Sequence, residues 1–115
     1  MTDSLIDDPA KVSRRASLAV QYLSETDVDH ANAKANLNAL QELKKTIYGY
    51  AFIDAQGSVE ARKAAAYTSS EYIEHIEKIK QAEIDYQVMT NKRTNAALSV
   101  ELYRTMSANN RKGQI

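Results

Sequence analysis

The sequence predicts an all-α protein: short N-terminal helices, then a long C-terminal helix, packed as an elongated, coiled-coil-like bundle that self-associates. Three observations carry this. Turn residues are scarce, with Pro9 the single proline and three glycines at 49, 57 and 113, which excludes a turn-rich β protein. Apolar residues recur at helical spacing in successive segments. The stretch from Ser69 to Asn109 holds neither Gly nor Pro. Ala is abundant while Trp is absent and Phe occurs once. At about 25 cal/mol per Å² of buried apolar area, so Ala-rich a core is thin for 115 residues, and an oligomer suits it better than a compact monomer.

The elements follow in order. Residues 1–8 read as a flexible start, and residues 9–112 as a single all-helical domain. Asp8 caps the first helix (9–24) and Pro9 takes its first position, where a missing N–H costs nothing. Val12, Ala16, Ala19, Val20 and Leu23 form its stripe. Ser24-Glu25-Thr26-Asp27 breaks that stripe and offers fresh caps, so a second helix is expected over 27–56, with Leu37, Leu40, Leu43, Ile47, Tyr50 and Ala51 on its apolar face. Gly49 weakens this helix by about 1 kcal/mol relative to Ala without ending it. Gly57 ends it, and Ser58 caps a short helix over 58–67. Thr68-x-x-Glu71 reads as a capping box that starts the last helix, 69–109. Forty residues of helix span about 60 Å. Its sticky face, the candidate oligomerisation residues, is Ile76, Ile79, Tyr86, Met89, Val100 and Tyr103, loosely at heptad spacing, and a pattern that long suggests coiled-coil contacts or helical repetition in an assembly. The polar run Thr90–Asn95 weakens that face, and a kink or hairpin there stays open.

The chain carries 15 basic and 15 acidic side chains, so its net charge is zero. They come in blocks. Residues 44–67 hold Lys44, Lys45, Arg62 and Lys63 against Asp54 and Glu60, and the C-terminal stretch is basic again. Such blocks fit antiparallel packing of unlike segments, stacking of copies, or surfaces left for an anion. Around Lys44 and Lys45 lie Tyr48, Tyr50 and Phe52. Cations for phosphates and rings for stacked bases are the minimal equipment of a single-strand nucleic-acid site. The plainer reading keeps Ile47 and Tyr50 in the core and leaves both lysines solvated.

Catalytic and metal signatures are missing. With no cysteine there is no disulfide and no thiolate site. There is no GxGxxG, P-loop or HExxH, and no Glu-x-x-His pair. His30 is lone and reads as a surface residue, and His75 falls on a polar face. No enzyme activity, metal or cofactor is expected. The opening MTDSLIDDPAK has neither a basic n-region nor an apolar run, so a signal peptide is not expected. No stretch is long enough to span a bilayer, and the cytoplasm is the expected compartment.

Taken together, RASLAVQYLSE, ALQELKKTIYGYAFIDAQG and SSEYIEHIEKIKQAEIDY, followed by a basic end, resemble the UvsY-type recombination mediators of tailed bacteriophages. The resemblance covers about residues 14–112 as an order of features, and departs where Gly49 splits the tyrosines and no Arg follows Gly57. The ending, Glu101-Leu102-Tyr103-Arg104 and Ala108 to Gly113, is similar to a broader set of small phage proteins. The resemblance implies a homo-oligomer that binds single-stranded DNA and helps load a RecA-like recombinase onto strands coated by single-strand-binding protein. It implies that Lys44 and Lys45 contact DNA. Arg62 and Lys63 are added as phosphate contacts, and Tyr48 or Tyr50 as the stacking ring. The rivals are a small helical protein–protein interaction factor, such as a phage inhibitor or adaptor, and a purely structural coiled-coil protein.

Overall fold

The computed structural model describes residues 8–113, which form three helices: α1 (Pro9–Asp54), α2 (Val59–Tyr67) and α3 (Ser70–Gly113). The all-helical class holds, and no strand occurs among the described residues. Of the flexible start expected over 1–8, residues 1–7 lie outside the described residues. Asp8 does cap α1: its Oδ1 accepts from the backbone N–H of Ala10 at 3.0 Å and of Lys11 at 3.4 Å.

Buried and half-buried positions in α1 advance by alternating steps of four and three: Val12, Ala16, Ala19, Leu23, Thr26, His30, Ala33, Leu37 and Leu40, then Ile47 and Ala51. In α3 they are Tyr72, His75, Ile79, Ala82, Tyr86, Met89, Arg93, Ala96 and Val100. A seven-residue repeat of this kind is the signature of coiled-coil packing. The chain falls into two compact units.

One unit combines α1 up to Asp29 with α3 from Met89 onward. Val12, Ala16 and Ala19 are its buried centre. Ala19 shares a shallow recess with Ala96, and Ala16 shares another with Val100, so the two segments run antiparallel. Arg93 joins them. Its Nη1 donates to the Leu23 carbonyl at 2.9 Å and to Thr26 Oγ1 at 2.7 Å, and its Nη2 reaches Asp27 Oδ1 at 3.3 Å. Thr26 Oγ1 donates in turn to the Tyr22 carbonyl at 2.7 Å.

This network corrects one expectation and closes a question left open. α1 does not break at Ser24–Asp27, because those polar groups serve the guanidinium within an unbroken helix instead of capping a new one. At Thr90–Asn95 α3 does not turn back: its helical span is unbroken, and the polar run carries Arg93 to its partners.

The second unit spans His30–Val88. Here too α1 and α3 are antiparallel. The His30 and Tyr86 rings stack at 5.0 Å between centroids, and His75 Nε2–H donates to the Leu40 carbonyl at 2.5 Å. A carbonyl only accepts, so this contact puts a proton on Nε2. His75 is 4% exposed, beside Ile79 and Ala82 in the core. Both histidines depart from expectation: His30 is half-buried against a ring, and His75 is core. Each directly follows an acidic residue, Asp29 or Glu74, but the seven-residue repeat turns both inward.

Two tight connections place α2. Gly57 has φ +110°, and a Cβ there would lie 3.3 Å from Ala61 Cβ, so glycine is required. Ser58 Oγ accepts from the Ala61 N–H at 3.2 Å and caps α2 as expected. At the far end Thr68 is not the cap of α3. Its Oγ1 donates back to the Ala64 carbonyl at 2.8 Å, while Ser69 Oγ accepts from the Tyr72 N–H at 3.3 Å and starts α3. Ala66, fully buried, anchors α2.

Gly49 is helical, and a Cβ there meets nothing within 4 Å. Gly49→Ala is therefore expected to raise unfolding stability by about 0.5–1 kcal/mol, while Gly57→Ala lowers it by about 1 kcal/mol or more, both read by urea unfolding followed at 222 nm. Equal effects of the two would contradict the assigned backbone. In the same assay Arg93→Ala should cost about 1–3 kcal/mol, since it strands polar partners. Asp27→Asn should cost under about 1 kcal/mol, because the Asp27 carboxylate is 77% exposed and solvent-screened.

Candidate functional site

The second unit gathers rings from all three helices. α1 supplies Tyr48 and, one turn further, Phe52, their centroids 6.3 Å apart. The α2–α3 connection supplies Tyr67 as the last residue of α2 and Tyr72 from the first turn of α3. Tyr48 lies 4.8 Å from Tyr67 and 6.1 Å from Tyr72, and Tyr67 meets Tyr72 edge-on at 5.5 Å. These separations and tilts are those at which aromatic pairs attract. The three tyrosines, with Lys44 and Lys45, line a recess of about 250 Å³. Both lysines are exposed, and neither has a carboxylate partner among the described residues.

The predicted site residues thus separate. Lys44, Lys45 and Tyr48 come together as expected. Tyr50 does not join them. Two residues beyond Tyr48 it points to a different side of α1, is 67% exposed, and lines a groove with Ile47, Ala51 and Ala65. Arg62 is committed to Phe52: its guanidinium carbon lies 4.7 Å from the ring centroid, and its Nε donates to the Phe52 carbonyl at 3.3 Å. Lys63 pairs with Glu60 at 3.7 Å. Tyr67 and Tyr72 were missed by sequence reasoning, which grouped rings by closeness along the chain. The available signal was a tyrosine on each side of the Thr68-Ser69 turn.

The expected oligomerisation residues lie mostly toward α1. Ile79 is 9% exposed, Tyr86 stacks on His30, and Met89 and Val100 occupy the inward repeat, so this face is used within the chain. Val100 and Tyr103 line a recess with Ala16 and Val20, and Ile76 is half-buried. The apolar side chains that α3 leaves exposed are Ile73, Ile84, Val88 and Leu98, with Tyr103 at the margin.

Partial burial, then the nearby Tyr67 phenol, hold the Tyr48 phenol above its ordinary value of about 10. It is therefore a neutral donor and acceptor at the recess wall. Among the described residues no three His, Cys, Asp or Glu side chains are grouped to hold a metal, and no helix is long and apolar enough to cross a membrane. Comparison with protein families, curated proteins and solved structures gave no match.

A phenol with a raised folded-state pKa stabilises the fold fully below the unfolded value and loses that contribution as pH rises through the folded one. Absorbance at 295 nm should therefore show Tyr48 ionising above pH about 10. Tyr48→Phe should remove amplitude from the alkaline end of the curve and flatten the loss of stability there. An unchanged curve would contradict the packed position of this ring.

Proposed function

We propose that this protein is a non-enzymatic, oligomeric binder of single-stranded DNA that acts as a phage-type recombination mediator. In that role it assists loading of a RecA-like recombinase onto strands covered by single-strand-binding protein. The observation that carries the DNA-binding part is the recess itself: two uncommitted ammonium groups beside a wall of three tyrosines. Lys44 and Lys45 supply charge for successive phosphates. Tyr48, Tyr67 and Tyr72 supply faces and edges for an unstacked base, each stacking contact contributing about 1–3 kcal/mol. A recess of about 250 Å³ has room for a base-sized ring. The recombination role rests on the UvsY-type order of features. Many copies each offering one such recess would bind a strand far more tightly than one copy does.

Arg62 and Lys63 contribute less than the sequence suggests, because each is already engaged. Arg62 orders Phe52 behind Tyr48 and so supports the recess from the rear. A second reading, a helical adaptor that binds another protein without nucleic acid, is favoured by the exposed Ile73, Ile84, Val88 and Leu98.

Polarisation titration of a labelled single-stranded oligonucleotide, at low and moderate salt with duplex as control, separates the two. The expected result is a preference for single strands and an affinity that falls steeply with salt. Lys44→Glu with Lys45→Glu should abolish binding at moderate salt and reduce the logarithmic salt slope by about 2. Tyr48→Ala should weaken binding by about 1–3 kcal/mol with little change in that slope. No binding at low salt removes the nucleic-acid reading and leaves the adaptor. Unchanged affinity in the lysine variant moves the site elsewhere.

A further inference from the structure

We infer that the outer face of α3 between Ile73 and Ile84 pairs, antiparallel and about a twofold axis, with the same face of a second copy of this chain. Positions 73, 77, 80 and 84 advance by four, three and four residues. At 3.6 residues per turn these four positions fall within an arc of about 60°. That arc lies about 150° around the helix from the side turned toward α1. The four residues are Ile73, Glu77, Lys80 and Ile84, and all are exposed, the two isoleucines by 51% and 47%. Neither Glu77 nor Lys80 has an ion pair among the described residues.

The order apolar, acidic, basic, apolar on a 4-3-4 spacing reads the same in both directions except that the charges exchange. Pairing about a twofold axis between Lys78 and Ile79 therefore sets each Ile73 opposite an Ile84. It also sets each Glu77 opposite a Lys80, twice by symmetry. Parallel pairing in register would instead place Glu77 on Glu77 and Lys80 on Lys80, which like-charge repulsion disfavours. The charge pattern thus selects both the occupant and its direction. Three turns of helix bury less than the roughly 1,000 Å² of a permanent interface, so the pair is a concentration-dependent dimer. These residues are not those of the tyrosine recess, and the inference does not depend on nucleic-acid binding.

The test is sedimentation equilibrium from about 10 μM to about 1 mM, the range in which so small an interface titrates. Wild-type chain should pass from monomer to dimer. Glu77→Lys and Lys80→Glu, each alone, should weaken dimerisation about tenfold or more. Mixing these two variants, or combining both changes in one chain, should restore it. Helical circular dichroism should be unchanged throughout, since both side chains are exposed. Direction is read by disulfide trapping, which the absence of native cysteine makes clean. Ile73→Cys mixed with Ile84→Cys should cross-link faster than either alone. A wild-type monomer across the range, association indifferent to both charge reversals, or Ile73→Cys joining itself as fast as it joins Ile84→Cys would each overturn the inference.

Discussion

A charged side chain facing inward on a long helix has to be answered by its neighbour, and Arg93 is that constraint here. Its side chain is 18% exposed, and its Nη1 is held by a backbone carbonyl and a hydroxyl, with the Asp27 carboxylate at the rim. From Arg93 toward the start of α1 the repeat residues are small, chiefly Ala16, Ala19 and Ala96. Alanines pack almost equally well against one another in several registers, so apolar burial alone does not fix the pairing of this unit. A slip by one heptad toward the start of α1 would leave the guanidinium against the methyl groups of Ala16 and Ala19, at a desolvation cost of several kcal/mol. The polar contact therefore supplies the specificity that the thin core lacks.

The second unit solves the same problem with rings. The Nε2–H of His75 has one acceptor, the Leu40 carbonyl, and His30 stacks flat against Tyr86. Each contact has a defined partner at a defined height along the helix pair. With this register set, Tyr48 of α1 stands opposite the start of α3, where Tyr72 and the end of α2 meet it. The recess is thus a product of register. The lysines come from α1 alone, but the wall beside them needs all three helices.

Much of the fold was legible in the sequence. The Asp8-Pro9 start, the Gly57-Ser58 break and the long Gly- and Pro-free run each have a local cause, and each sits where local chemistry places it. What was not legible is long-range. Ser24–Asp27 carries the chemistry of a cap, yet Thr26 turns its hydroxyl back to its own helix and offers its lone pairs to a residue 67 positions away. Thr68 resembles a cap, but Ser69 takes that place, a difference of one residue that pattern alone does not resolve. For the site, Lys44, Lys45 and Tyr48 were found because one helical turn brings them together. Tyr67 and Tyr72 were not, because their approach to Tyr48 depends on how α2 folds back, which no local spacing encodes. The sticky face of α3 was found too, but its partner is α1 of the same chain.

The short α2 segment has a consequence for how this architecture can vary. The paired long helices depend on their repeat, whereas the tyrosine wall depends on the connection between them. That connection has a single left-handed residue at one end and two hydroxyl-capped positions at the other, with no slack between. A related chain could lengthen or simplify this connection and keep its helix pair intact while losing the wall. Fold and binding surface are therefore separately heritable in this design. Loop length near residues 55–69, more than overall helical likeness, is the trait by which chains sharing this recess could be told from chains sharing only its scaffold.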